Sequence, residues 1–150
     1  MLFLLFHLGQ DRYVLDVRQV IEVLPLLGIM AMPQAPIEVA GLCNHRGTLV
    51  PVIDLSQVML GRPAQRRLHT RIVLAKYSDD SDVTRSLGLI VEKVTETLQR
   101  EATDFNSSGV SLPHLGRVAL DRDGLTQRIE VNQLLPKSVR ELLFQSQMQS

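Results

Sequence analysis

The chain has 150 residues, of which 45% are hydrophobic and 21% are charged. Its 16 basic and 16 acidic residues cancel, so no net charge would attract it to DNA, RNA or an anionic membrane surface. With no tryptophan and only 4% aromatic residues, it also lacks the stacking surfaces that single-stranded nucleic acid requires. These values predict a folded protein of one domain or two small joined subdomains, and they exclude nucleic-acid binding.

Cysteine usage and hydropathy indicate the compartment. A single cysteine, Cys43, cannot form an internal disulfide, which favours a reducing environment. The apolar run at residues 1–6 lacks the basic flank of a secretion signal, and the longest uncharged apolar stretch, residues 23–33, is shorter than the ~20 residues of a membrane span. We therefore expect a cytoplasmic protein that does not insert into a membrane.

The first half of the chain reads as short β-strands separated by turns, the pattern of a small barrel or sandwich. The predicted strands are residues 2–8, 13–17, 26–32 and 37–42, followed by two strands around a turn at 44–47. A short helical turn is predicted after Asp16, because apolar residues recur there at spacings of three and four. We expect the segment 26–32 to lie in the core. Asp54 is expected to cap a short helix over residues 56–60, and Pro51, which cannot donate to a ladder, predicts a sheet edge or a bulge.

A hairpin is predicted by Gly-Leu-Cys-Asn-His-Arg-Gly-Thr-Leu-Val-Pro at residues 41–51. Two apolar β-type runs flank a tight turn that carries Arg46 at its tip. A guanidinium held there has five donors in a fixed fork and could bind a carboxylate or carbonyls on another chain. Alternatively, Arg46 caps its own turn or pairs with Glu22 or Glu38. Of Val20 and Glu22 on the predicted helical turn, one is expected in the core and the other at the surface.

The second half of the chain repeats the first. Residues 13–24 align without a gap with residues 87–98, at an offset of 74 residues, and residues 47–54 align with residues 124–132 with one extra residue. Chance similarity between valine-rich strands is the alternative explanation. Repeats of this period are typical of duplicated supersecondary units. We therefore predict two similar small β-barrels in tandem, which could exchange edge strands.

The remaining segments are predicted to be loops and a helical tail. Mobile polar loops are expected at residues 78–86 and 101–113. Helices are expected to start at Asn132 and near Ser138, and residues 145–150 are expected to fray. The predicted apolar stripe of the last helix consists of Val139, Leu142 and Leu143.

The sequence contains none of the common catalytic or phosphate-binding motifs, and its four histidines show no metal-ligand spacing. The aspartates of the 78–86 loop lack the spacing of a calcium loop. A small enzyme or metal protein could still use Cys43 and His45, which share a strand face, with Asp54 as a third group. Because further ligands would be needed, we treat this as an alternative to a docking module.

Taken together, these residues resemble the CheW-like coupling domain of bacterial chemosensory systems. The match is position by position in Gly-x-x-Asn-x-Arg-Gly-x-x-x-Pro-Val-Ile-Asp-Leu at residues 41–55. Looser matches are residues 6–13, Val-x-Glu at 20–22, Pro33 and Pro36, the strand at 88–94, and residues 115–135. The resemblance covers nearly the whole chain.

The resemblance implies an all-β fold with a few short helices, built as two tandem five-stranded SH3-like barrels. The barrels would span about residues 1–66 and 67–135, with a C-terminal helix and tail at 136–150. It implies no catalysis and no cofactor, but an adaptor between chemoreceptor cytoplasmic tips and the CheW-like regulatory domain of a CheA-type histidine kinase, with further contacts to other CheW-like domains. The implied partner-binding residues are Val20, Glu22, Gly41, Asn44, His45, Arg46, Gly47 and Gly88.

Some positions depart from the family. His45 stands where the family usually has an apolar residue, so the turn could meet its partner differently or with pH sensitivity. The last strand, at 126–131, is more polar than is typical, and Thr95 and Thr97 interrupt the second-barrel valine pattern. An alternative surface-sensing pathway of the Wsp type, controlling a diguanylate cyclase, fits as well as the flagellar pathway. A tandem SH3-like regulatory module that binds a small ligand is a further alternative.

Overall fold

Ten strands and several short helices make up the part of the chain that the computed structural model describes, residues 1–26, 28–78, 83–105, 117–121 and 124–145. The strands are β1 (Leu2–Leu8), β2 (Asp11–Asp16), β3 (Val20–Pro25), β4 (Val39–His45), β5 (Thr48–Asp54), β6 (Arg71–Ser78), β7 (Thr84–Val91), β8 (Lys93–Gln99), β9 (Val118–Asp121) and β10 (Gly124–Arg128). The α-helices are α1 (Leu55–Leu60) and α2 (Lys137–Arg140), which continues as a π turn (Glu141–Gln145). Short 3₁₀ turns lie at Val17–Gln19, Ala102–Asp104 and Val131–Gln133.

The strands form two five-stranded sheets. The first has the order β8-β1-β2-β10-β9, and the second has the order β3-β6-β7-β5-β4. The pairs β5–β7 and β10–β2 are parallel, and the other pairs are antiparallel. Among the described residues each ladder is open, so the two predicted barrels are SH3-like sheets without a hydrogen-bonded closure. The predicted all-β fold of two five-stranded units is confirmed.

Each sheet combines strands from both halves of the chain. The first sheet takes β1 and β2 from the N-terminal half and β8 to β10 from the C-terminal half, and the second sheet has the reverse composition. In the two parallel pairs, Val52 lies opposite Gly88 and Arg128 lies opposite Val14. Val14 and Gly88 are 74 residues apart, which is the offset of the sequence repeat. The repeat in the sequence therefore corresponds to a repeat in the structure, and the two repeats exchange strands. As a consequence, the predicted division at residues 66/67 does not coincide with the boundary between the two sheets.

The central strands are buried on both faces. In β6, Val73 and Tyr77 belong to the core between the two sheets, whereas Ile72 and Leu74 belong to a second core on the other face of their sheet. Strand β1 is also buried on both faces, with Leu4 and Phe6 in the core between the sheets and Phe3 in a third core. Because successive strand residues point to opposite faces, a strand buried on both sides reads as a continuous apolar run. This explains why β1 and β6 show no apolar–polar alternation.

The helical turn predicted after Asp16 is confirmed only at Val17–Gln19. The following residues, Val20–Pro25, form β3, in which half-buried and exposed residues alternate and pair with β6. The apolar spacing of three and four predicts a helix, but pairing with β6, which includes a register shift between Val20 and Glu22, makes this segment a strand. The strand predicted at 26–32 is also wrong. Its described residues form one β-bridge, between Met30 and Leu42. The expected core position holds in part, because Leu26, Ile29 and Met32 are half-buried and pack against the cores, whereas the other described residues are exposed.

Pro51 lies in an inner strand, because β5 runs between β7 and β4. The predicted sheet edge is therefore wrong. The amide and carbonyl of Leu42, the residue opposite Pro51, are both hydrogen bonded to Met30, so the Leu42–Pro51 pair is not a hydrogen-bonded one. On the other side, the ladder to β7 begins only at Val52. The proline consequently removes no hydrogen bond from either ladder.

The tail is helical near both predicted starts, at Val131–Gln133 and at α2. Val139 and Leu143 are buried in the core between the sheets, but Leu142 is 39% exposed and does not belong to the apolar stripe. Residues 146–150, predicted to fray, lie outside the described residues.

Only the ends of the two predicted loops lie in the described part of the chain. Strand β7 already begins at Thr84, and residues 79–82 lie outside the described residues. In the second loop, Phe105 is buried with its ring centroid 5.2 Å from that of Phe3, so this end is packed against the first sheet. Residues 106–116 lie outside the described part of the chain.

Candidate partner-binding surface

The hairpin predicted from residues 41–51 is present, and its turn places Arg46 at the tip. Arg46 and Gly47 both have positive φ angles, of 54° and 86°, between β4 and β5. Two central residues of this conformation match the twist of a two-residue hairpin. The side-chain oxygen of Asn44 accepts a hydrogen bond of 2.8 Å from the amide of Gly47. The turn is therefore fixed by local interactions, and the Arg46 side chain remains 78% exposed.

Glu22, His45 and Arg46 form a polar cluster beside this turn. His45 Nε2 lies 2.8 Å from Glu22 Oε2, and the Arg46 guanidinium lies 3.5 Å from the same oxygen. The His45 side chain is only 18% exposed, whereas Glu22 is 35% exposed. Of the alternatives for Arg46, pairing with Glu22 is therefore realised. Because the Arg46 contact is long and solvated, it adds little stability and leaves the guanidinium able to exchange partners.

The cluster also joins two edges of one sheet. Glu22 belongs to β3 and His45 to β4, which are the opposite edge strands of the second sheet. The curled sheet brings these strands together, and a side-chain contact takes the place of a backbone ladder. This gives His45, the position that departs from the family pattern, a partner within its own chain.

Val20 and Glu22 are both half-buried, so the prediction that they differ in burial is wrong. A register shift between them places Val20 opposite Ala75 and Glu22 opposite Leu74, which are neighbouring residues of β6, so the two side chains lie on opposite faces of the sheet. Ile21 and Val23 are 42% and 38% exposed. Leu49, which is 60% exposed, lies opposite Asn44 beside the turn. The sequence analysis missed these three apolar residues. Predicting a strand at residues 20–25 would have identified Ile21 and Val23 as surface residues.

Gly41 and Gly88 are buried, so neither can touch a partner directly in this structure. Gly41 has a φ of +146°, and a side chain there would overlap the Met30 carbonyl oxygen. A Cβ on Gly88 would lie 3.2 Å from both Ile72 Cγ2 and Val52 Cγ2. Close packing therefore explains both glycines, and the implied role as contact residues is not supported for them.

The structure does not assemble the alternative site of Cys43, His45 and Asp54. Cys43 is buried in an apolar core, and burial raises the pKa of its thiol. Asp54 caps α1, as predicted, by accepting a hydrogen bond of 3.1 Å from the amide of Ser56, and its other oxygen accepts one of 3.0 Å from the amide of Ala64. Within the described residues, no three histidine, cysteine or acidic side chains are grouped to hold a metal ion.

A family model for the CheW-like domain matches residues 2–139. The chain belongs to the CheW-like domain family. This confirms the resemblance seen in the hairpin sequence, and with it the prediction that the chain is not an enzyme.

Relatives of this CheW-like chain are named as chemotaxis proteins. It is 25% identical over 105 residues to chemotaxis protein CheW of Helicobacter pylori, covering 69% of this chain and 60% of that protein. It is 26% identical over 100 residues to chemotaxis protein CheW of Klebsiella aerogenes, covering 67% and 57%. The matches thus span less than two thirds of the length of these relatives.

The fold is similar to that of a solved CheW. The crystal structure of scaffolding protein TtCheW from Thermoanaerobacter tengcongensis superimposes with a TM-score of 0.82, covering 95% of this chain and 92% of that one. At 23% sequence identity, this similarity concerns the fold. In the described part of the CheW-like chain, no helix is long and apolar enough to cross a membrane.

Proposed function

We propose that this CheW-like domain is a cytoplasmic adaptor that couples the cytoplasmic domain of a chemoreceptor to the regulatory domain of a CheA-type histidine kinase. The observation that carries the proposal is Arg46, presented on a rigid turn beside Glu22. Membership of the CheW-like family and the scaffold and chemotaxis names of its relatives support it.

The surface around the turn has the composition of a protein-binding site. A cation and a carboxylate lie side by side, and exposed Ile21, Val23 and Leu49 supply apolar area around them. Charged groups of this kind orient a partner, while apolar contacts that exclude water supply affinity. On binding, Arg46 would leave its 3.5 Å contact with Glu22 and donate to a carboxylate of the partner.

A coupling protein also needs a second surface, and the hairpin of β9 and β10 offers one. Leu120 and Leu125 lie opposite each other in this hairpin and are 79% and 65% exposed. Strand β9 is an edge strand of the first sheet, and such an edge suits another β domain. The kinase regulatory domain, or another CheW-like domain, is the partner we assign to this edge.

The test is binding of the receptor cytoplasmic domain and the kinase to wild-type protein and to Arg46→Ala. We expect Arg46→Ala to weaken one of these contacts by about 1–3 kcal/mol, as for a charge-assisted hydrogen bond, without lowering the melting temperature. Arg66→Ala, which removes an exposed arginine elsewhere, is the matched control and should bind normally. Testing flagellar and surface-sensing receptors in parallel assigns the pathway.

Two outcomes would contradict the proposal. Failure of the wild-type protein to bind any receptor or kinase would rule out coupling. A large fall in the melting temperature of Arg46→Ala would make this residue structural instead of a contact.

A further inference from the structure

The connection between α1 and β6 is strongly basic. Residues 61–71 contain four arginines and one histidine but no acidic residue, although the whole chain has no net charge. This concentration lies away from the Arg46 turn and has no part in the coupling function proposed above.

The basic connection lines a cleft beside the turn between β1 and β2. The cleft has a volume of about 610 Å³, which lies in the range of small-molecule sites. The charged and titratable residues in its lining are His7, Arg62, Arg67, His69, Glu92 and Lys93. Three permanent cations therefore face one carboxylate.

The carboxylate of Glu92 is already satisfied by its own chain. Its oxygens accept hydrogen bonds from the amides of Gly9 at 2.6 Å and Gln65 at 2.9 Å, and Arg62 lies at 3.4 Å. Glu92 is only 8% exposed. It therefore neutralises Arg62 and holds the connection against the β1–β2 turn.

Arg67 and Lys93 remain as cations without an acidic partner in the described part of the chain. The surroundings of His7 reflect the same positive field. Burial lowers its pKa, and the charges of Arg12 and Lys93 lower it further. A cleft with two uncompensated cations on separate segments favours an anion with more than one negative charge.

We propose that this cleft binds a small phosphate-bearing anion, with Arg67 and Lys93 as its principal ligands. A phosphate monoester carries close to two negative charges at neutral pH, which matches the two cations. The planar fork of Arg67 suits two phosphate oxygens, while Lys93, at the start of β8, supplies a point charge. The volume leaves room for a group attached to the phosphate.

Calorimetric titration of the full chain with inorganic pyrophosphate and, in parallel, with a phosphoserine peptide tests the proposal. We expect saturable binding of at least one probe, and the tighter probe identifies the source of the phosphate. Arg67→Ser and Lys93→Ser should each weaken this binding by about tenfold. Both side chains are exposed, so the variants should melt like wild type. Arg66→Ser, adjacent in the chain but outside the cleft lining, is the matched control and should bind as wild type.

Three results would overturn the assignment. One is the absence of saturable binding to either probe. Another is equal weakening by Arg66→Ser, which would indicate diffuse charge instead of a site. The third is equally tight binding of the same peptide synthesised without its phosphate, which would indicate a surface for protein segments instead of a phosphate site. None of these results depends on receptor or kinase binding, so this proposal and the coupling function can fail separately.

Discussion

Substituting Gly41 by alanine should destabilise the domain although no partner is involved. The new methyl group would overlap the carbonyl oxygen of Met30, at a φ of +146° that side chains rarely adopt. Relief requires Met30 to move away. That movement breaks two hydrogen bonds with Leu42, of 2.8 and 2.9 Å, which attach the segment before β4 to the sheet.

The magnitude follows from these contacts. Each lost hydrogen bond costs about 1 kcal/mol net, and a side chain at this φ costs about 1–3 kcal/mol. We therefore expect the free energy of unfolding to fall by roughly 3–5 kcal/mol, the sum of these two contributions. For a domain of this size, this corresponds to a melting temperature lower by at least about 6 °C.

Urea unfolding followed by circular dichroism measures this loss. Gly28→Ala is the matched control, because a Cβ at Gly28 meets nothing within 4 Å, and its stability should change by less than about 0.5 kcal/mol. Wild-type stability of Gly41→Ala would refute the packing argument. If that stable variant also failed to bind the receptor, Gly41 would be a contact residue, contrary to our assignment.

Three further predictions follow from buried polar and thiol groups. Burial opposes ionisation of Glu92, but its amide hydrogen bonds and the nearby guanidinium outweigh burial and lower its pKa. The unfolded chain therefore binds a proton at Glu92 more readily than the folded chain does. The stabilisation that ionised Glu92 gives is present above about pH 4.3 and is lost as the pH falls through the pKa of Glu92 in the folded protein. Glu92→Gln should flatten this acid-side loss in urea titrations, and an unchanged pH profile would contradict it. Asp54→Ala removes the acceptor for the amides of Ser56 and Ala64 and should lower the urea-derived stability by about 1–3 kcal/mol. Burial raises the pKa of the Cys43 thiol and encloses it. A thiol reagent should therefore modify the native protein only at the rate at which the protein opens around Cys43, and immediate modification would refute this.

Local signals were readable from the sequence. The hairpin could be predicted because Asn44 and Gly47 lie two residues before and one residue after Arg46, between two apolar runs, which is typical of a tight turn. The capping of α1 by Asp54 is equally local, since acceptor and donor are two residues apart. The duplication could be found because residues 13–24 and 87–98 kept the same apolar pattern.

Features that depend on distant pairing were not readable. The apolar spacing around Val20–Pro25 predicts a helix, and only pairing with β6 makes this segment a strand. The inner position of Pro51 is tolerated because its pair with Leu42 is not hydrogen bonded and the ladder to β7 begins only at Val52, and this register depends on distant strands. The contact between Glu22 and His45 arises because the second sheet curls, so no local pattern announces it.

Strand exchange also dictates an order during synthesis. The second sheet uses strands between residues 20 and 91, so all five exist before the last third of the chain is made. The first sheet needs β8 to β10, so β1 and β2 leave the ribosome first but receive their last neighbour only after Arg128 is made. Until then the hairpin Leu2–Asp16 lacks its neighbours β8 and β10 and the cover that Phe105 and Ala119 give its outer face, and unpaired strand edges promote aggregation. A nascent chain stalled after β7 would carry the strands of the second sheet beside two strands of the first that are unpaired at both edges.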